Sequence, residues 1–126
     1  MQNSWQLLED SLLVIWNDRD PEERLKAMEK IYASDIHFYE SNSGTAIIGF
    51  DDINNTISNL QSGWDPKVLF ELSKPSQTNH NVQLASWTLG APAEKPVASG
   101  MDVAIVENEK NQSTPSLFGL TKKNEN

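Results

Sequence analysis

The chain has no cysteine. That excludes disulfides, thiolate catalysis and cysteine metal sites. Positive charge is scarce as well: 10 Lys+Arg stand against 18 Asp+Glu, a formal net charge of -8. A phosphate backbone would be repelled by that field, and no Lys/Arg cluster offsets it, so nucleic acid and membrane are not expected partners. Only two histidines occur, His37 and His80. Neither H-E-x-x-H nor a facial-triad spacing is present, so no metal site is expected. The sequence also has no G-x-S-x-G elbow, phosphate loop or dinucleotide fingerprint, which removes the parts that serine hydrolases, NTPases and dehydrogenases require. No apolar run reaches membrane-spanning length, and Met1–Trp16 carries Glu9 and Asp10 and no early Lys or Arg. It does not read as a signal peptide, and a cytoplasmic protein is the expectation. On that footing the glycosylation sequons Asn54-Asn55-Thr56 and Asn111-Gln112-Ser113 are read as chance matches.

What remains is 126 residues with 37% hydrophobic content, enough for one domain with a real core. Trp5, Leu8, Leu12, Ile15 and Trp16 recur at three- and four-residue spacings and predict a helix over residues 4–17. Asn17-Asp18-Arg19 is a polar break. Asp20-Pro21-Glu22-Glu23 predicts a helix start: Asp20 caps, Pro21 suits the first position, and Glu23 completes a capping-box spacing. That helix runs through Leu25, Met28, Ile31 and Tyr32. Short strands follow at 36–40 and 46–50. A third helix opens at Asp51 or Asp52, with Ile53, Ile57 and Leu60 on one face, and closes at Gln61-Ser62-Gly63.

The rest is β in character, with strands expected over 67–73, 81–89, 97–106 and 116–121 and a charged hairpin connection over 107–112. Within 81–89, alternation sets Gln83, Ala85, Trp87 and Leu89 on one face and Val82, Leu84 and Ser86 on the other. Pro115 predicts a bulge, an edge or a late start to the last strand. Helices interspersed with short strands, then a run of longer strands, give an α+β class. Helices on one face of a curved antiparallel sheet enclose a cone with an open mouth.

Gly100-Met101-Asp102-Val103-Ala104-Ile105-Val106 is the stretch with the most chemistry. It reads as a buried strand with a carboxylate inside it. Desolvation disfavours the charged form of such a group and raises its pKa. Alternation puts Asp102 with Gly100 and Ala104, both small, which leaves room for a ligand. Glu40 falls on the face of Ile36 and Phe38. Two carboxylates in one apolar cavity have their pKa values pushed apart, giving one acid and one base. The competing reading is structural: Asp102 accepts hydrogen bonds from a Trp or Tyr, and Glu40 is solvated. Trp16, Trp64, Trp87, Tyr39 and Phe118 form the aromatic set, either as core or as the wall for a flat apolar ligand. Trp64, after Gly63 and before Asp65-Pro66, is expected at the cavity mouth or an interface.

Trp16-Asn17-Asp18-Arg19-Asp20-Pro21, Ile31-Tyr32-Ala33-Ser34-Asp35-Ile36-His37-Phe38 and Ile48-Gly49-Phe50-Asp51, followed by Trp87-Thr88-Leu89-Gly90, Gly100-Met101-Asp102-Val103-Ala104 and Phe118-Gly119, resemble the SnoaL-like branch of the nuclear transport factor 2-like superfamily. The resemblance spans roughly Trp5 to Thr121. It implies a single-domain cone-shaped α+β barrel with an apolar cavity, often a homodimer packed through the sheet. The superfamily includes ketosteroid isomerase, polyketide cyclases, limonene epoxide hydrolase, dehydratases and non-catalytic binding modules, and fold does not choose among them. Compared with ketosteroid isomerase, Glu40 stands where the general-base aspartate lies and Asp102 where the protonated oxyanion-hole aspartate lies. Leu12 stands where the oxyanion-hole tyrosine lies. The resemblance therefore implies a small apolar, cyclic or carbonyl-bearing ligand and cofactor-free proton transfer by Asp102 and Glu40. Leu12, Trp16, Phe38, Trp64, Trp87 and Phe118 would be the walls. The rival is a binding module without catalysis.

Overall fold

The computed structural model describes residues 6–39, 45–107 and 110–119, with 107 and 110–119 described through their backbone. The expected Glu40 lies outside the described residues.

The first helix, α1 (Leu7–Asp10), continues as a π-helical stretch over Ser11–Ile15. The π register is closed by the Trp16 N–H, which donates to the Ser11 carbonyl five residues back at 3.1 Å. Leu7, Leu8, Ser11, Leu12, Ile15 and Trp16 all turn inward. The Leu8 N–H, an orphan donor at the helix start, is taken by the buried Gln83 Oε1 at 2.8 Å.

Helix α2 (Pro21–Ile31) starts as expected, with Asp20 Oδ1 accepting from the N–H groups of Glu22 and Glu23. The Glu23 carboxylate pairs with Lys26 at 3.1 Å. The chain then enters strand β1 (Tyr32–Tyr39) with no intervening loop: Tyr32 adopts φ -102 and ψ 148 while its N–H still bonds the Met28 carbonyl. Tyr32, expected on the helix, is the first strand residue.

Strand β2 (Ile47–Ile48) pairs with β1, and helix α3 (Phe50–Gln61) follows. Its N-cap is Gly49 at φ 86, a conformation that suits a residue without Cβ, so Asp51 and Asp52 sit in the first turn facing the helix dipole instead of capping it. The buried face of α3 is Ile53, Asn54, Ile57 and Gln61. Leu60, expected there, is 37% exposed, because the 53–57–61 line carries the inward face and ends on a glutamine.

The remaining strands are β3 (Leu69–Leu72), β4 (Gln77–Asn79), β5 (Val82–Gly90), β6 (Ala98–Glu107) and β7 (Lys110–Gly119). Strand β4 has no counterpart in the sequence expectation, being wholly exposed and polar. His80 joins it to β5 in a left-handed turn at φ 56. The sheet runs β2-β1-β7-β6-β5-β3, with β4 also pairing β5. The pairs are antiparallel except β1 with β7. Strand β7 starts about six residues earlier than expected, within what reads as a charged connection. Pro115 lies inside it, opposite Tyr39 where the β1 ladder runs out. The β6–β7 register shift falls between Ile105 and Val106 instead of at the proline.

Asn17-Asp18-Arg19, which reads as a break, joins four elements. The Asn17 amide donates to the Phe70 carbonyl (3.0 Å) and accepts from the Phe70 N–H (2.7 Å), substituting for a neighbouring strand along β3. Arg19 donates to the carbonyls of Asp65 and Val68. The Asp18 carbonyl accepts from Arg24 (2.8 Å) and Gln61 (2.9 Å). Arg24 itself is fully buried, and its guanidinium makes five hydrogen bonds: to Asn54 Oδ1 (2.5 Å), Gln61 Oε1 (2.9 Å), the carbonyls of Asp18 and Asn54, and Ser58 Oγ. Burial lowers its pKa, opposed by the charges of Asp18 and Asp20. Asn54 also donates to the Pro21 carbonyl, so the first sequon is a buried structural amide.

Candidate functional site

Strands β5 and β6 place one face against the helices. Gln83, Ala85, Trp87 and Leu89 are buried on β5, as the alternation predicts, and Ala98, Asp102, Ala104 and Val106 on β6. Register sets Ala85 opposite Asp102 and Trp87 opposite Gly100. Phe118 is located by its backbone register with Gly100. Asp102 is 7% exposed, and Trp87 Nε1 donates to its Oδ1 at 3.1 Å. The acceptor role that the structural reading assigns to Asp102 is thus occupied, by an indole whose N–H can only donate.

A second polar group lies in the same interior. Tyr32 is 2% exposed, and its hydroxyl is 2.6 Å from Ser11 Oγ. It also accepts from Trp16 Nε1 at 3.3 Å. Burial pushes the phenol up to about 12, and the Asp102 charge adds to the rise, while the hydrogen bonds from Ser11 and Trp16 work the other way. Asp102 and Tyr32 therefore feel one another across the interior. Each has an indole N–H: Trp87 on the carboxylate, Trp16 on the phenol. The π-helical stretch explains the second pairing. Ser11 and Trp16 are five residues apart and would diverge on a regular α-helix, but the wider turn brings both to one hydroxyl.

The indoles are joined by packed rings. Trp16 lies 5.2 Å from Phe38 and 6.1 Å from Phe70, and Phe70 lies 5.0 Å from Trp87 in an edge-to-face contact. Trp64, half-buried, packs edge-on against Phe70 at 5.8 Å. Leu12 is buried in the same core. Of the residues singled out from the sequence, the structure brings together Trp16, Phe38, Trp64 and Trp87, with Asp102 on Trp87 and Leu12 in the shared core.

Sequence reasoning passed over Tyr32 and Ser11. Ser11 had a signal: with Leu8 and Ile15 it forms an i, i+3, i+7 line, which sets a hydroxyl on a buried stripe. Tyr32 had none, because its role depends on the helix ending one residue before it.

A groove of about 350 Å³ lies elsewhere, between the outer sides of the first two helices, lined by Asp10, Val14, Asp18, Glu23, Lys26, Ala27, Lys30 and Ile31. The Asp10 carboxyl is pushed up there by partial burial and then by Glu9.

No family model matches the sequence, and no curated protein matches it. Solved structures do. A candidate isomerase of the SnoaL-like family from Agrobacterium tumefaciens str. C58 superposes with a TM-score of 0.79 at 20% identity, over 94% of this chain and 99% of that one. A candidate SnoaL-like polyketide cyclase from Jannaschia sp. CCS1 gives 0.73 at 8% identity, over 91% and 84%. A nuclear transport factor 2-like protein from Cytophaga hutchinsonii gives 0.65 at 10% identity, over 100% and 97%. Helices against a curved, mainly antiparallel sheet superpose on the SnoaL-like and nuclear transport factor 2-like structures over nearly the whole chain, and this chain has their fold.

Proposed function

We propose that the chain binds a small apolar, cyclic or carbonyl-bearing molecule on the helix-covered face of its sheet, and that Asp102 transfers a proton to or from it in a cofactor-free isomerisation or cyclisation. The observation that carries this reading is a carboxylate buried among aromatic rings and small residues, with a second ionisable group in electrostatic reach. Trp16, Leu12, Phe38, Trp64, Trp87 and Phe118 would form the walls, and Glu40 the partner carboxylate. The alternative is a ligand- or protein-binding module of the same fold. It is favoured by the Trp87–Asp102 hydrogen bond, which gives the carboxylate a structural task.

Asp102→Asn separates the two, because its amide oxygen still accepts from Trp87 and the fold should survive. A thermal-shift screen of small cyclic ketones, lactones, phenols and fatty acids is run on the parent and the variant. Compounds that raise the parent melting temperature and not that of Asp102→Asn nominate substrates, and loss of turnover in the variant then establishes the enzyme. Turnover at the parent rate removes the catalytic role.

The protein would act as a cytoplasmic homodimer. Supporting this, the sheet face away from the helices carries Val82 opposite Ile105, each 38% exposed, and Leu84 opposite Val103. Sedimentation is expected to give twice the chain mass, and a monomer at micromolar concentration would refute it.

A further inference from the structure

We propose that the groove between the outer sides of the first two helices is a second ligand site, for a primary alkylammonium whose chain lies on Val14 and whose charge is taken by Asp18. It is separate from the interior that holds Asp102 and goes beyond the reading given for that residue.

The first observation is Val14. Leu7 is fully buried, and on a regular α-helix a residue seven positions further on shares its stripe. Val14 would then point inward. The π register over Ser11–Ile15 spends more residues on each turn, keeps Ser11, Leu12 and Ile15 inward, and swings Val14 out to 47% exposure. The valine does not meet open surface. With Ala27 and Ile31 of α2 it supplies the apolar part of the groove, whose volume of about 350 Å³ is within the range that small ligands occupy. Exposing a valine forfeits burial, and π turns are concentrated at functional sites.

The second observation is charge. The groove carries Asp10, Asp18 and Glu23 against Lys26 and Lys30. Glu23 and Lys26 neutralise one another at 3.1 Å. Chain order sets Asp10 and Lys30 at the end far from the turn that joins the helices. Their charges offset each other, and partial burial pushes the Asp10 carboxyl toward its neutral form, so that end suits an apolar group. Asp18 lies at the other end, in the turn. The buried Arg24 behind it is faced by Asp20 as well as by Asp18, so one negative charge is left over. Asp18 Oδ1 accepts from the Asp20 N–H at 2.9 Å, and its second oxygen takes no hydrogen bond among the described contacts.

The complement of this arrangement has one positive end and an apolar stem. Val14 comes four residues before Asp18, a rise of about 6 Å on a helix, so a stem of several carbons passes from the carboxylate across the valine toward Ile31. The net charge of -8 draws cations of this kind and repels anions.

Hexylammonium is titrated into isotope-labelled protein while the Val14 and Ala27 methyl resonances are followed by NMR. Both should shift and saturate. Butylammonium should bind about tenfold more weakly, since two buried methylenes are lost. Hexanol should bind about fivefold more weakly, for want of the ion pair. Asp18→Asn keeps an acceptor for Asp20 and should weaken hexylammonium about fivefold while leaving hexanol unchanged. Val14→Lys, a change at an exposed side chain, should abolish binding. Asp51→Asn removes an exposed carboxylate from α3 and should change nothing. Shifts that do not saturate, or hexanoate binding as tightly as hexylammonium, would overturn the proposal. So would equal losses in Asp51→Asn and Asp18→Asn, which mean diffuse attraction to an acidic chain. Shifts at the Trp87 indole with Val14 and Ala27 unmoved put the ligand in the interior beside Asp102; the groove is then refuted and the reading of Asp102 stands. Should Asp18→Asn fail to fold, undiminished binding in Val14→Lys overturns the proposal equally.

Discussion

Replacing Arg24 with Met tests the joint between the two longer helices. The substitution keeps most of the aliphatic volume and removes the guanidinium. Its five acceptors do not suffer alike. The Asp18 carbonyl keeps the Gln61 amide at 2.9 Å, Ser58 is only partly buried, and the Asn54 carbonyl lies within a helix. The amide oxygens of Asn54 and Gln61 lose the Arg24 donors in a buried setting. Each orphaned acceptor costs about 1–3 kcal/mol. Relief from desolvating a cation returns part of that, since buried charge is itself expensive. The net expectation is a loss of about 3 kcal/mol, or roughly 10 °C in melting temperature for a domain of this size. Arg24→Lys should fare little better: an ammonium has three donors in the wrong geometry for a planar fork. The triple Arg24→Met, Asn54→Leu, Gln61→Leu removes the two amide oxygens with the guanidinium, but it also strips the Asn54 and Gln61 amide donors from the carbonyls of Pro21, Trp16 and Asp18. It should therefore be less stable than the single variant, because the newly orphaned carbonyls outweigh the two acceptors removed. Urea unfolding at neutral pH measures all three. An Arg24→Met variant within 1 kcal/mol of the parent, or a triple variant more stable than the single, would refute the reasoning.

Alkaline pH should destabilise the protein through Tyr32. Its folded pKa of about 12 lies above the unfolded value near 10, so the native state holds the proton more tightly. Stability is full below pH 10 and falls as pH rises toward 12, by about 3 kcal/mol in all. Urea midpoints in a Tyr39→Phe background follow it, and an equal slope in Tyr32→Phe would contradict it. Asn17→Ala should cost about 1–2 kcal/mol and speed amide exchange at Phe70, since two hydrogen bonds to that residue disappear; unchanged exchange would mean that the amide does not brace β3.

The sequence shows the periodic parts of this fold plainly. The Asp20-Pro21 start, the alternation on β5 and the inward face of Asp102 all follow from local rules, because each has one partner type and one spacing. What it hides are groups whose neighbours are distant in the chain. Arg24 sits with Met28 and Ile31 on an i, i+4, i+7 line, so its burial is legible, but four of the five acceptors that make it tolerable are thirty or more residues away. Asn17 reads as a loop residue because nothing local says that the exposed edge of β3 needs a substitute strand. The start of strand β7 reads as a connection because it is charged and has no apolar alternation, and it is held by ladders on both sides.

The same distinction governs the candidate site. Asp102 stands out because a carboxylate in an apolar strand violates a local pattern, and such violations concentrate where structure serves function. Tyr32 violates nothing, since a buried tyrosine beside a helix end is ordinary core. Its significance appears only when three separate features coincide: the helix ends so that Tyr32 starts a strand, the first helix widens at Ser11, and the widened turn delivers Trp16 to the same oxygen. A regular α-helix at 11–15 would separate those donors and leave the phenol with one of them at most. The backbone irregularity and the polar cluster are thus one feature, and a variant that restores α-helical register there should disperse the cluster without touching Tyr32 itself.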